Sequence, residues 1–143
     1  MANPQVKIQY TQLFINNSFV NSVSGKTFPT INPANKKIII NVAEGDKEDV
    51  DLAVKAARAA FQPNSEWRTM DASARGRLIY KLAELLEKNQ IDLANIESLD
   101  NGKAYSNSVL DVQLAVSVLK YYAGFADKIH GKTIPSDGPY FFR

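Results

Sequence analysis

One stretch constrains this chain more than any other. From about Asn107 to His130 it reads as a single long helix carrying two apolar rows. Val109, Val112, Val116, Leu119, Ala123 and Ala126 form one row, and Leu110, Leu114, Val118, Tyr121, Phe125 and Ile129 form the other. A helix that is apolar around most of its circumference is normally covered on several sides. The remaining sequence offers only three shorter helices and two hairpins to cover it, so the natural chain is expected to be longer than these 143 residues. Size alone does not forbid independent folding, because a compact domain of this length buries roughly 68% of its unfolded surface.

The strand signals come first along the chain. Phe14-Ile15 and Phe19-Val20 flank a turn at Asn16-Asn17, and a second turn follows at Ser24-Gly25. A second pair, Thr27–Ile31 with Ile38–Ile40, is joined through Asn32-Pro33-Ala34-Asn35, and Pro29 calls for an edge position. Asp46 with Asp49 three residues on predicts a helix start. The expected inward stripe of this first helix is Val50, Ala53, Val54, Ala57 and Phe61, with Gln62-Pro63-Asn64 ending it. Asp71 is expected to cap a second helix with the stripe Leu78, Ile79, Leu82, Leu85 and Leu86. A third carries Leu93, Ile96 and Leu99 and stops at Asn101-Gly102, where glycine accepts the left-handed conformation. After a loop over Thr133–Gly138, Pro139–Arg143 reads as the opening of a strand that lacks a partner within the sequence. The fold class is therefore mainly α with two short N-terminal β-hairpins.

Composition narrows the chemistry. Seventeen basic residues against 15 acidic give a net charge of +2, and the basic residues are dispersed, which argues against a nucleic-acid surface. There is no cysteine, so thiolate nucleophiles, thiolate metal sites and disulfides are excluded within these residues. No stretch reaches the roughly 18 apolar residues of a membrane span, and the start Met1–Lys7 lacks a signal or transit pattern, so the expected compartment is the cytoplasm. The seven glycines are scattered, with no glycine-rich phosphate turn between a strand and a helix.

Side chains able to do chemistry are few. The single histidine, His130, falls at the expected end of the long helix, where its plain role is to complement the helix dipole. Glu97 and Asp100 lie three apart on one helix face, a spacing suited either to a hard cation or to two solvated acids. Trp67, Tyr121 and Tyr122 can stack a ring or simply pack. Asn16-Asn17-Ser18 fits a glycosylation sequon, but is read as a turn.

Taken in order, a set of segments resembles the beginning of the cytosolic and mitochondrial aldehyde dehydrogenases, including the retinal dehydrogenases. They are Leu13–Asn17, Ser24–Pro29, Asn32–Ala34, Glu44–Val50, Trp67–Ser73, Leu99–Lys103, Tyr121–Ile129 and Gly131–Pro135. The similarity covers nearly everything after Ile8. Phe125 departs from it, standing where relatives often carry tryptophan, and reads as conservative packing.

The resemblance implies that this is the N-terminal, outer part of an α/β coenzyme-binding domain without its dinucleotide-binding sheet. On that basis residues 1–12 form an extension, 13–135 belong to the coenzyme-binding domain, and 136–143 begin an oligomerisation arm. It also implies NAD as coenzyme, a small-molecule aldehyde as substrate, and assembly of the enzyme into homodimers or homotetramers. Relatives attack the aldehyde with a cysteine thiolate, pass hydride to NAD, and release the acid with water activated by a glutamate. None of the residues present is expected to be catalytic or to bind the coenzyme, so this chain alone is expected to be inactive and not to bind NAD.

Two carry-overs remain. A structural cation is implied at the main-chain oxygens of Thr30 and Ile31 with the carboxylate of Asp100, weak here because a further ligand would lie past Arg143. The start of the long helix is implied to border the substrate tunnel, placing Asp111 and Ala115 at its mouth, where the small Ala115 would leave room for a bulky aldehyde. The competing expectation is a catalytically inactive short form that binds a full-length dehydrogenase through its exposed helical faces.

Overall fold

A computed structural model of the chain describes residues 6–132 and 137–138. The expected terminal strand at 139–143 and most of the loop before it lie outside the described residues. The chain is mostly helical, with two antiparallel strand pairs preceding the helices, as its sequence predicts.

The first hairpin pairs β1 (Leu13–Ile15) with β2 (Ser18–Val20). Asn16 and Asn17 both take positive φ, 50° and 61°, the geometry of the tight hairpin turn that asparagine tolerates better than most residues. Tyr10 stacks on Phe19 at 4.1 Å, and Phe14 tilts against the same ring at 4.9 Å. The second pair, β3 (Thr27–Ile31) and β4 (Ile38–Ala43), runs three residues further on its second strand than the sequence suggests. With only two strands in the sheet, Pro29 sits on an edge as expected. The two hairpins are tied by a backbone bond from Ala43 N–H to the Thr11 carbonyl.

Helix α1 (Lys47–Ala60) begins in a full capping box: Asp46 accepts backbone N–H bonds at the helix start, and Asp49 returns one from Asp46 N–H at 2.9 Å. Asp49 also accepts from Val23 N–H at 3.0 Å and is buried, so it clamps the helix start to the turn between the hairpins. The expected inward stripe does not face inward. Val50, Ala53, Val54, Ala57 and Phe61 are all exposed, while Asp49, Leu52, Ala56 and Ala59 face the first hairpin. Periodicity located the helix, but Asp49 sets which of its faces meets the hairpin, and the apolar stripe is left open.

A short helix, α2 (Glu66–Thr69), capped by Ser65, occupies the stretch the sequence left as a connection. Arg75 closes its far end by donating to the Met70 and Trp67 carbonyls. Next, α3 (Ala72–Lys88) starts after Asp71 as predicted, though the Asp71 side chain makes no cap bond. Its covered face is built from small residues: Gly76 and Ala83 are buried and Ile79 and Leu86 half-buried, whereas Leu78, Leu82 and Leu85 stay exposed.

Helix α4 (Gln90–Asn101) ends at Gly102, which takes φ 78° as expected. A Cβ at this position would lie 2.5 Å from Pro33 Cγ, so the glycine also admits the loop of the second hairpin. Leu93, Ile96 and Leu99 are half-buried; the fully covered residues are Ala94, Asn95 and Ser98.

The long helix α5 runs Tyr105–Ala123, starting two residues earlier and ending seven earlier than predicted. At Gly124 the hydrogen bonding tightens, with Phe125 N–H reaching Tyr122 and Lys128 N–H reaching Phe125. His130 therefore lies beyond the helix, exposed, and does not complement its dipole. One α5 row packs on α3 and α4, with Val116 only 6% exposed. The other stays open: Leu110, Leu114 and Tyr121 are each at least 60% exposed and Ile129 is 93% exposed. The accessible surface of 11359 Å² is about half again that of a compact monomer of this mass. Folding thus buries about half of the extended chain's surface, not the roughly 68% of a compact domain.

Candidate functional site

The residues that matter converge where α3, α4 and α5 meet. Leu86, Leu93, Ile96 and Val112 supply apolar walls to a groove of about 480 Å³ whose rim carries Glu97, Lys103 and Asp111. Asp111 and Ala115 are one helical turn apart on α5 and both line this groove. Ala115 contributes little bulk, so the width of the groove there is set by its neighbours on α3 and α4.

Lys103 is the polar centre of the rim. It follows the left-handed Gly102, and its carbonyl accepts a bond from the Ser98 hydroxyl at 2.8 Å, which fixes the chain as it leaves α4. From there its ammonium reaches Glu97 Oε1 at 2.6 Å and Asp111 Oδ2 at 2.7 Å, joining α4 to α5. Hydrogen bonds donated to Asp111 and then to Glu97 raise the proton affinity of the Lys103 amine above the ordinary lysine value, outweighing partial burial. The sequence identified Asp111 but not Lys103. The signal lay in Gly102: a helix stop there turns the next residue back across both helices, which linear spacing does not reveal.

Glu97 and Asp100, whose spacing suits either a hard cation or two solvated acids, part company in the structure. Glu97 is engaged by Lys103, and Asp100 is exposed. Among the described residues no cluster of three or more His, Cys, Asp or Glu could hold a metal. Thr30 is half-buried, with its hydroxyl donating to the Ile40 carbonyl at 3.2 Å, and Ile31 is exposed. A register shift falls between these two residues: Thr30 pairs with Ile40 and Ile31 with Ile38, which leaves Ile39 on β4 without a partner. The Pro33–Gly102 approach and the shared cavity of Leu99 with Ile38 and Ile39 bring this hairpin to the C-terminal end of α4.

The aromatic candidates separate. Trp67 lines a cavity of about 380 Å³ with Phe61, Arg68 and Arg75, in which Arg68 lies 4.5 Å over the Phe61 ring. Tyr121 and Tyr122 meet edge to face at 5.2 Å and cluster with Phe125, so they pack on one another while remaining exposed. No described helix is long and apolar enough to cross a membrane.

Comparison with known proteins sharpens the assignment. Residues 19–142 match the model of the aldehyde dehydrogenase family. The chain is 57% identical over 137 residues to the cytosolic 1 aldehyde dehydrogenase of Mus musculus, covering 95% of this chain and 27% of that protein. It is 58% identical over 140 residues to the mitochondrial aldehyde dehydrogenase of Equus caballus, covering 97% and 28%. The NAD+ complex of the aldehyde dehydrogenase from Bacillus cereus superimposes with a TM-score of 0.88 at 44% identity, over 93% of this chain and 27% of that one. The chain thus spans about a quarter of the length of the relatives it matches, and in that quarter it shares both their sequence and their fold: it belongs to the aldehyde dehydrogenase family.

Proposed function

We propose that this chain works as part of a longer enzyme that oxidises aldehydes to carboxylic acids with NAD, through a thiohemiacetal on a cysteine that these 143 residues do not contain. The observation that carries this reading is the combination of a family match over residues 19–142 with helical faces left open on α5, α3 and α1. Exposed apolar area of this kind marks a surface made to be covered. In this reading residues 1–12 are an extension, 13–135 the outer part of the coenzyme-binding domain, and 136–143 the start of an oligomerisation arm. The assembled enzyme is a homodimer or homotetramer located in the cytoplasm, a placement supported by the cytosolic relative, although a mitochondrial one is equally similar.

The residues present do not fit NAD. Both described sheets are two-stranded and antiparallel, and neither leads through a glycine-rich turn into a helix. What the chain contributes is shape. Asp111 and Ala115 mark the mouth of the substrate tunnel, with the apolar wall from α3 and α4 receiving the aldehyde's tail. The Thr30 and Ile31 carbonyls, with Asp100, are the proposed holders of a structural cation; the exposed Asp100 carboxylate and the approach of this hairpin to the C-terminal end of α4 suit oxygen ligation.

The experiment is the intact mass of the protein from its native source, together with NADH formation from a simple aldehyde. A mass several-fold larger, with activity in the long form and none in the 143-residue chain, is the expected result. Activity from the 143-residue chain alone overturns the proposal. A native mass equal to these residues, with a stoichiometric complex to a full-length dehydrogenase, replaces it with the inactive interaction module.

A further inference from the structure

An aldehyde-handling groove that carries a lysine on its rim faces a chemical hazard. A neutral amine attacks the carbonyl carbon, a C–N bond forms, and the carbonyl oxygen takes the proton that nitrogen loses. Loss of that hydroxyl as water, with the second proton of the nitrogen, then leaves a C=N bond to the protein. Among the described residues that line this groove, Lys103 is the only amine. Its nitrogen is held by two carboxylates, Glu97 of α4 at 2.6 Å and Asp111 of α5 at 2.7 Å.

We propose that the Glu97–Lys103–Asp111 clasp shields this amine from condensing with the aldehydes that enter the groove. The inference rests on the aldehyde-oxidising reading above. An ammonium has no lone pair with which to attack, and two carboxylates at hydrogen-bond distance favour the ammonium over the amine. The raised proton affinity of Lys103 agrees with this geometry. The clasp also fixes the nitrogen by its contacts to two helices, so approach to a carbonyl carbon requires breaking both bonds. The carboxylates leave the rim with a net negative charge, since Lys103 neutralises only one of them.

The test treats the intact protein, at the length its native mass shows and without NAD, with butyraldehyde and cyanoborohydride, and counts alkylated lysines by peptide mass spectrometry across pH. Lys55, exposed on α1, is the internal reference. Lys103 is expected to be trapped about tenfold more slowly than Lys55. In Glu97→Gln with Asp111→Asn its rate is expected to rise about tenfold and its pH profile to move down while that of Lys55 stays in place. Asp111→Glu, which keeps the carboxylate, is expected to retain the shielding. Equal trapping of Lys103 and Lys55 in the unaltered chain overturns the proposal without any variant. So does an unchanged Lys103 profile in a double variant that keeps its circular dichroism. Because the aldehyde acts here only as a reagent, this outcome is independent of the NADH assay that decides the enzyme's function.

Discussion

Helices α1 and α5 invert each other. In α1 a capping box, acidic residues in the first turn and a basic residue in the last specify a self-sufficient helix, yet only Asp49 in it is buried. In α5 no side chain caps the start, and the helix holds its place by packing against α3 and α4 along Val112, Val116, Leu119 and Ala123. One helix is defined locally and only lightly attached; the other is undefined at its ends and central to the packing. The contrast separates two jobs that apolar periodicity conflates, forming a helix and choosing which face is covered.

The largest test of that contrast falls on the α3–α5 contact. A Cβ at Gly76 would lie 2.6 Å from the Ala123 carbonyl and 3.1 Å from Ala126 Cβ. Gly76→Val is expected to lower stability by about 3 kcal/mol despite valine's better helix propensity, because backbone cannot move aside cheaply. The urea midpoint checks it, and an unchanged midpoint would remove α3–α5 packing as the organising contact. On the α1 side the equivalent anchor is Asp49. Asp49→Ala is expected to cost about 2 kcal/mol by leaving Val23 N–H without its acceptor, and to raise hydrogen exchange at Val23. The smallest effect should come from the open faces: Leu114→Gln on α5 and Val54→Ser on α1 should each shift stability by about 0.5 kcal/mol or less. A loss well above that in either variant would mean that the face is covered in the chain itself.

Much of the fold was legible because its signals are local. Asn16-Asn17 specified a hairpin turn through positive φ, Asp46 with Asp49 specified a helix start, and Gly102 specified a helix end. The helix of Glu66–Thr69 was missed because one turn carries no periodicity. The end of α5 was overrun because the apolar rows continue through Ala126 and Ile129 after the hydrogen bonding has changed at Gly124. In the candidate groove, Asp111 and Ala115 came from family resemblance, whereas Lys103 came only from coordinates. Its two carboxylate partners are six residues before it and eight after it, on different helices.

What the amino-acid order decided, then, was every element longer than one turn except the end of α5, the family, and the absence of a thiolate from these residues; each follows from composition, short-range backbone preference or matching motifs. Which faces those elements bury was decided only in three dimensions. The α1 stripe looked inward by period, but the buried Asp49 bonds to Val23 and Asp46 set the rotation of the helix instead. Small residues at Gly76 and Ala83, not the adjacent leucines, let α3 approach α5. A hydrophobic pattern records that a face is to be covered somewhere, while close approach of backbones depends on shape and on specific hydrogen bonds, and neither is written in the period of a helix.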